Sequence, residues 1–443
     1  MKGVVIAAPA SGSGKTLITL GLLRHLARRG ARVVSAKVGP DYIDPAFHAA
    51  ASGHPCRNLD GWAMRPAALA GQMTALASAG DMAVCEGVMG LFDGARVAPG
   101  APDRGATADI AKMTGWPVVL VVDARAQAAS AAAVVRGFAS HEAGVTVAGV
   151  IYNRVGGAAH AEILHDAHQA ALSDIPLLGC VPRGAELVLP ERHLGLVQAL
   201  EHPDLENFIE GAAAIVAEHV DTDALSALAA DSTAPGGDGP TPPPLPPLGQ
   251  RIAVARDAAF AFAYDHVLDG WRDAGATATT FSPLAGEGPD TDADAVYLPG
   301  GYPELHAGAL AANGAFLGGL RAAAARGAAV YGECGGYMVL GRALTDAEGT
   351  AHEMAGLLGV ETSFAERRLH LGYRRARLLG DGALGAAGAA YRGHEFHYAS
   401  ILEEDGEALF ECADAAGRDL GRAGLRAGSV AGSFVHLIDR KDA

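Results

Sequence analysis

A short glycine-rich turn near the N-terminal end most constrains how this chain can fold. Ala8-Pro-Ala-Ser-Gly-Ser-Gly-Lys-Thr16 lies between an apolar run at 4–8 and a segment at 17–29 whose Leu17, Leu20, Leu23 and Leu26/Ala27 share one helical face. A strand, a tight turn and a helix in that order point to a parallel sheet covered by helices, because the helix must pack back onto the strand it follows. The turn also gathers backbone N–H groups at a helix N-terminus, a nest for phosphate oxygens. Ser11, Gly12, Ser13, Gly14, Lys15 and Thr16 are therefore the expected ATP-binding loop. Lys15 reaches the β- and γ-phosphates and the Thr16 hydroxyl ligates Mg²⁺. Pro9 stands where a full phosphate-loop pattern has its first glycine, and the strand–loop–helix context compensates.

Strand-like runs at 33–37, 82–86, 118–123, 147–153 and 177–181 continue the alternation with helical stretches. A seam then interrupts it: residues 231–249 hold much of the proline of the chain and can extend neither a helix nor an inner strand. It reads as a semi-rigid spacer, the alternative being a proline-rich ligand for another domain. Beyond it the pattern restarts with strands at 252–255, 277–281, 295–298 and 328–332, and spacing after Leu344 becomes hairpin-like. The expected fold class is α/β. A doubly wound, mostly parallel phosphate-loop sheet occupies 1–230, a Pro/Gly-rich linker 231–249, and a mixed α/β domain of the class I glutaminase kind 250–443.

Polar residues collect where the N-terminal strands end, the ligand edge of a doubly wound sheet. The second strand runs into Lys37-Val-Gly-Pro-Asp41-Tyr42-Ile-Asp44, the third into Cys85-Glu86 and on to Asp93, and a later one into Asn153-Arg154. Glu86 is expected to carry Mg²⁺ with Thr16, Lys37 to neutralise a phosphoryl group or a carboxylate, and Asn153 to read a purine edge. Each alone is equally well explained as a helix cap or turn residue. Their recurrence at successive strand ends is what argues for a site.

In the second half, Gly332-Glu-Cys334-Gly-Gly336 between a strand and a helix at 337–344 is a nucleophile elbow, with the helix N-terminus expected to favour thiolate. A strand-like segment ending at His436 supplies a base. The turn Leu298-Pro-Gly-Gly301-Tyr-Pro-Glu304 offers one oxyanion N–H at Gly301, and Gly335 the other. A third member of the constellation is missing. Position 438, where many class I glutaminases carry Glu, is Ile, so either a dyad suffices or another group, with Glu395 as a candidate, orients the imidazole.

The net charge of −16 argues against wrapping nucleic acid. Five cysteines at 56, 85, 180, 334 and 412 show no metal-site spacing and suit reduced thiols. With no leader-like start and no apolar run of spanning length, the expectation is a cytoplasmic protein that contacts no membrane, with a homodimer as the oligomer to look for.

Assembled, these segments resemble the cobyrinic acid a,c-diamide synthase family, which includes the hydrogenobyrinic acid a,c-diamide synthases. The resemblance rests on APASGSGKT at 8–16, KVGPDYIDP at 37–45, NLDGW at 58–62, CEGVMGLFDG at 85–94, PERHLGL at 190–196, LPGGYPE at 298–304, GECGGYMVLG at 332–341 and RGHEFHY at 392–398. It implies that Cys334 and His436 release ammonia from L-glutamine. It further implies that ATP·Mg²⁺ phosphorylates corrin side-chain carboxylates, and that ammonia displaces the phosphate at the a and c positions. That branch generally lacks the Glu after the catalytic His. Asp41, Tyr42, Asp44, Asp93 and Asp109 become candidate substrate or metal contacts, and His394, Glu395 and His397 candidate cleft residues. Two alternatives stay open at this point: amidation of another tetrapyrrole, and a partition-type ATPase whose second domain only binds.

Overall fold

The computed structural model describes residues 1–98, 104–184, 191–192, 195–196, 198–234 and 242–441. Its N-terminal sheet runs in the order Arg57–Leu59, Val33–Val38, Met82–Glu86, Lys2–Ala7, Val118–Asp123, Val147–Val155 and Leu177–Pro182, all parallel. Ala230–Asp231 pairs antiparallel with the start of the central strand. That central strand is buried on both faces. Val4 and Ile6 enter one core with Leu22 of helix Lys15–Arg28 and Val216 of helix Leu205–His219. Val5 and Ala7 enter the opposite core with Leu69 and Ile110, from helices Pro66–Ala79 and Thr107–Thr114. Burial on two faces is why these strands read as unbroken apolar runs and not as alternating ones.

In the C-terminal half, Thr277–Phe281, Arg251–Ala255, Ala295–Leu298, Ala329–Glu333 and Val430–Ser433 are parallel. The sheet then continues antiparallel through Asp419–Ala427, Glu407–Ala413, His370–Leu378, Ala390–His397 and His436–Arg440. A small second sheet holds Ala351–Glu353, Ala343–Thr345, Val360–Ser363 and Ser400–Glu404. The mixed α/β fold matches the expectation, with two local corrections. The helix after Cys334 is Gly335–Leu340, shorter than 337–344. At Gly341 the backbone passes so close to the Val360 strand that a Cβ would lie 2.5 Å from the Val360 carbonyl oxygen, and the chain turns into strand Ala343–Thr345. His436 begins a strand instead of ending one. The segment divides at Ser433, whose hydroxyl accepts the Val435 N–H at 3.1 Å, and crosses from the parallel part of the sheet to its antiparallel edge.

The two halves are joined by a continuous interface. Trp62 stacks on Tyr373 at 4.4 Å with the Arg392 guanidinium over it, and the Tyr373 hydroxyl donates to Asp60 at 2.9 Å. Arg65 makes paired hydrogen bonds to the enclosed Asp439 at 3.0 Å and 2.9 Å, and Arg57 meets Asp269 at 2.6 Å. Of the proline-rich seam, 235–241 lies outside the described residues. The part from 242 on is seated in this interface: Leu245 and Leu248 are buried, and the Pro242 and Pro243 carbonyls accept from Arg65 and Arg440. Of the motif at 190–196, Glu191–Arg192 pairs with Gly195–Leu196, while Pro190, His193 and Leu194 lie outside the described residues. Among the described residues no helix is long and apolar enough to cross a membrane.

Candidate functional site

The glycine loop is braced from below. Gly12 and Gly14 take left-handed backbone conformations (φ 74° and 92°), and a Cβ on Gly14 would sit 2.2 Å from Asn153 Nδ2. Only glycine allows both the turn and this approach. Asn153 donates to the Ser13 carbonyl at 2.9 Å, Ser13 Oγ donates to the Ala10 carbonyl at 2.9 Å, and Arg154 spans the Gly12 carbonyl and Asp123 at 2.5 Å and 2.6 Å. Asn153, expected to read a purine edge, has its amide engaged with the loop.

Around the Lys15 end lies a buried ionic cluster. The Lys15 ammonium donates to the Met89 carbonyl at 2.7 Å; burial lowers its pKa and Lys37 adds to that, against the pull of Glu86. Glu86 receives Thr16 Oγ1 at 2.8 Å and Lys37 Nζ at 2.9 Å on one oxygen, and His48 Nε2 at 2.7 Å on the other. Burial alone would raise the Glu86 carboxyl, but Lys37 and His48 overcome it and hold it well below the usual range. His48 in turn lies 3.4 Å from Cys56 Sγ. Lys37 also meets Asp44 at 2.6 Å and Asp41 at 3.7 Å, so its charge is already balanced within the protein. A hydroxyl beside a carboxylate is a donor set that suits a hard cation such as Mg²⁺.

The other candidates separate by geometry. Asp41 Oδ1 accepts the Ile43 and Asp44 N–H groups at 2.9 Å and 3.1 Å and so shapes the turn into helix Asp44–Ser52. Asp93 accepts the Gly90 N–H at 2.9 Å. Asp109 is directed away from the site: its Oδ2 accepts the Arg104 and Ala106 N–H groups at 2.9 Å and 3.0 Å as the cap of its helix. Tyr42 reaches across to the other half, stacked on Phe262 at 5.2 Å and tilted against Tyr264 at 4.3 Å and His436 at 5.2 Å.

On the second side, Cys334 sits at φ 48°, ψ −103°, a backbone conformation a side chain rarely adopts. Residues held this way cost on the order of 1–3 kcal/mol and persist where surrounding structure over-determines them. Here a Cβ on Gly336 would fall 2.0 Å from the Leu298 carbonyl oxygen, so the helix start is pressed against the neighbouring strand. The Gly335 N–H lies near the Cys334 sulfur and favours its ionised form, and the Gly301 nitrogen lies 3.1 Å from where a Gly335 Cβ would stand. A Cβ built on Gly300 would be 2.4 Å from His436 Cε1, 3.2 Å from Nε2 and 3.3 Å from Cys334 Cβ, so base and nucleophile converge on one side of that glycine. The electrostatics run against the expected thiolate. Burial, with Glu304 nearby, pushes the thiol up, while burial and His394 push His436 well below its usual value. Both shifts favour the neutral thiol and the neutral imidazole.

His394 stacks on His436 at 4.9 Å, pairs with the Tyr264 hydroxyl at 2.9 Å, and is pushed down to about 3 by burial and then Arg374. Glu395, proposed as the orienting group, is instead bonded to Arg374 at 2.9 Å and 2.6 Å; strand alternation turns it away from its neighbour His394. His397 packs between His370 and Phe434. Sequence reasoning missed two residues. His48 carries no signal beyond its place on the helix after Asp44. Glu333 was legible as an acidic residue ending a buried strand; its Oε2 lies 3.8 Å from His436 Nδ1.

One cleft of about 1040 Å³ unites the two sides: Lys15, Thr16, Glu86 and Tyr42 line it from the first half, and Arg374, His394 and His436 from the second.

Residues 4–197 match the family model described as the CobQ/CobB/MinD/ParA nucleotide binding domain, and residues 251–443 match the CobB/CobQ-like glutamine amidotransferase domain. A Brucella anthropi protein named hydrogenobyrinate a,c-diamide synthase is 55% identical over 448 residues, covering 99% of both chains. Proteins of the same name from a Sinorhizobium species and from Rhodobacter capsulatus are 54% and 55% identical, covering 99% of this chain in each case and 99% and 98% of theirs.

Proposed function

Because the chain belongs to the hydrogenobyrinate a,c-diamide synthase family, an ATP- and glutamine-dependent group of amidating enzymes in cobalamin biosynthesis, we propose that it converts the a and c carboxylates of hydrogenobyrinic acid to amides within the shared cleft. The observation that carries this reading is that Lys15 and His436 line the same cavity. An ammonia source and a phosphorylating site would then share one cavity.

At the glutaminase end, Cys334 Sγ bonds to the glutamine side-chain carbonyl carbon while its proton passes to His436 Nε2. The Gly301 and Gly335 N–H groups meet the developing oxyanion, a contribution worth about 3–4 kcal/mol per donor in well-aligned sites. The proton then moves from Nε2 to the amide nitrogen as the C–N bond breaks, leaving ammonia and a glutamyl thioester that water hydrolyses. At the other end a substrate carboxylate oxygen attacks the γ-phosphorus of ATP, and ADP leaves. Ammonia adds to the resulting acyl phosphate and expels phosphate, yielding the amide. Lys15 is placed to meet phosphate oxygens. Thr16 and Glu86 would hold Mg²⁺, which when bound neutralises charge on the phosphates.

The outer cleft suits a large polycarboxylate ring. Exposed Met89, Leu371 and Leu420 offer an apolar lip, and Arg96 and Arg183 lie beside it to meet carboxylates. The test is mass spectrometry of hydrogenobyrinic and cobyrinic acids, with a second tetrapyrrole polycarboxylate as control, after incubation with enzyme, ATP, Mg²⁺ and glutamine. Two carboxyl-to-amide conversions on hydrogenobyrinic acid are expected. Amidation of the control alone would move the substrate assignment to another macrocycle.

A further inference from the structure

His436 Nδ1 is buried and has no hydrogen-bond partner among the described residues. A buried polar atom left this way costs about 1–3 kcal/mol, so it marks a contact that forms in some other state of the site. One carboxylate among the described residues lies within reach. Glu333 Oε2 is 3.8 Å from Nδ1, and both side chains are almost fully enclosed, at 1% exposure each. That carboxyl group is itself held from two sides. Tyr297 donates its hydroxyl to Oε2 at 2.9 Å, and the Leu437 N–H donates to Oε1 at 3.1 Å. Leu437 follows His436 directly, so Glu333 already grips the backbone that carries the base. The Cε1–Nε2 edge of the ring faces Gly300, on whose same side the Cys334 Cβ lies. One ring nitrogen thus lies on the Gly300 side, where Cys334 also sits, and the other lies toward Glu333.

We propose that Glu333 is the positioning residue of the glutaminase, accepting His436 Nδ1–H so that the Nε2 lone pair points at Cys334 Sγ. The assignment rests on reading Cys334 and His436 as the glutaminase pair. It places nucleophile and orienting group on adjacent residues: Glu333 ends the strand Ala329–Glu333 with its side chain toward Tyr297, and Cys334, at positive φ, turns the backbone into the helix. The remaining gap is about 1 Å beyond a normal N–H···O distance, and it closes as His436 takes the thiol proton and becomes a cation. Burial pushes Glu333 up to about 7, with the Leu437 and Tyr297 hydrogen bonds pulling the other way, so a positive ring beside it favours the ionised form. In its ionised form Glu333 stabilises the imidazolium and fixes the tautomer.

The experiment compares wild type, Glu333→Gln and Glu333→Asp in the full chain. Glu333→Gln should lower kcat for glutamine hydrolysis on the order of 100-fold, with KM for glutamine little changed and ammonia-dependent amidation retained; Glu333→Asp should recover part of the loss. In ¹⁵N NMR of the histidine side chains, with His436 identified by its absence in His436→Asn, the wild-type ring should be the neutral Nδ1–H tautomer, and Glu333→Gln should shift it. A Glu333→Gln enzyme with unaltered glutaminase kcat overturns the proposal, as does a wild-type His436 in the Nε2–H form, which can be read even where a variant does not fold. If glutamine hydrolysis survives Cys334→Ala, the pair itself is misassigned, a separate outcome.

Discussion

Cys334 is held in a position its own chemistry resists. Its backbone is strained, its thiol is enclosed, and burial keeps both thiol and imidazole neutral at rest. On the proposed reading, a neutral pair carries no standing thiolate open to adventitious oxidation, and proton transfer waits until the glutamine amide is aligned. Replacing Cys334 by Ala should abolish glutamine-dependent amidation, by at least about 10³-fold, because on the proposed reading its thiol is the group that attacks the amide. Amidation from added ammonium should be preserved, since the Lys15 end is untouched. Equal loss with both nitrogen donors would refute two separable sites. Lys15→Ala is the reciprocal case: with its ammonium gone from the phosphate loop, amidation should fail with either donor while glutamine hydrolysis continues. Isotope-labelled glutamine and ammonium, followed in one assay, distinguish the two.

The elements carry these residues by a repeated device, a buried strand that delivers a polar group at its end and then turns sharply into a helix. The turn at Gly14 and that at Cys334 were both legible, since glycine spacing and apolar runs are local properties of the chain. Less legible was how tightly the second is compressed. Gly336→Ala would set a Cβ 2.0 Å from the Leu298 carbonyl oxygen, a backbone atom that cannot swing aside. We expect a loss of about 1–3 kcal/mol, seen as a lower melting temperature, with glutamine hydrolysis falling more than ammonia-dependent amidation because the strain relaxes at Cys334. An unchanged melting temperature would show that the strand and helix can part at little cost. Helix length, by contrast, was misjudged at 337–344: what ends the helix is the approach of the Val360 strand, distant in sequence. Cys334 and His436 were expected to pair and lie beside the same glycine, while Glu395, the carboxylate put forward as a candidate to orient the ring, is sent by strand alternation to Arg374.

Across the whole molecule the two sites work only if the interface holds them around one cleft. Arg65 and Asp439 anchor it, and removing one partner of a buried pair typically costs about 3–5 kcal/mol because the other charge stays behind. Asp439→Ala should therefore lower thermal stability and, in the folded fraction, raise the ratio of ammonia released to amide formed; a ratio equal to wild type would mean that cleft geometry does not depend on this anchor. The sequence by itself determined the α/β class and the two sharp strand-to-helix turns, at Gly14–Lys15 and at Cys334, because each is written in short-range spacing that the backbone must obey. Tertiary structure alone decided which polar groups meet: Lys37 and His48 on Glu86, Asn153 under the loop, Glu333 behind His436, and Tyr42 against the second half. Those contacts join residues far apart in the chain or turn on side-chain direction, and burial, which sets their charge states, exists only once the sheets have packed.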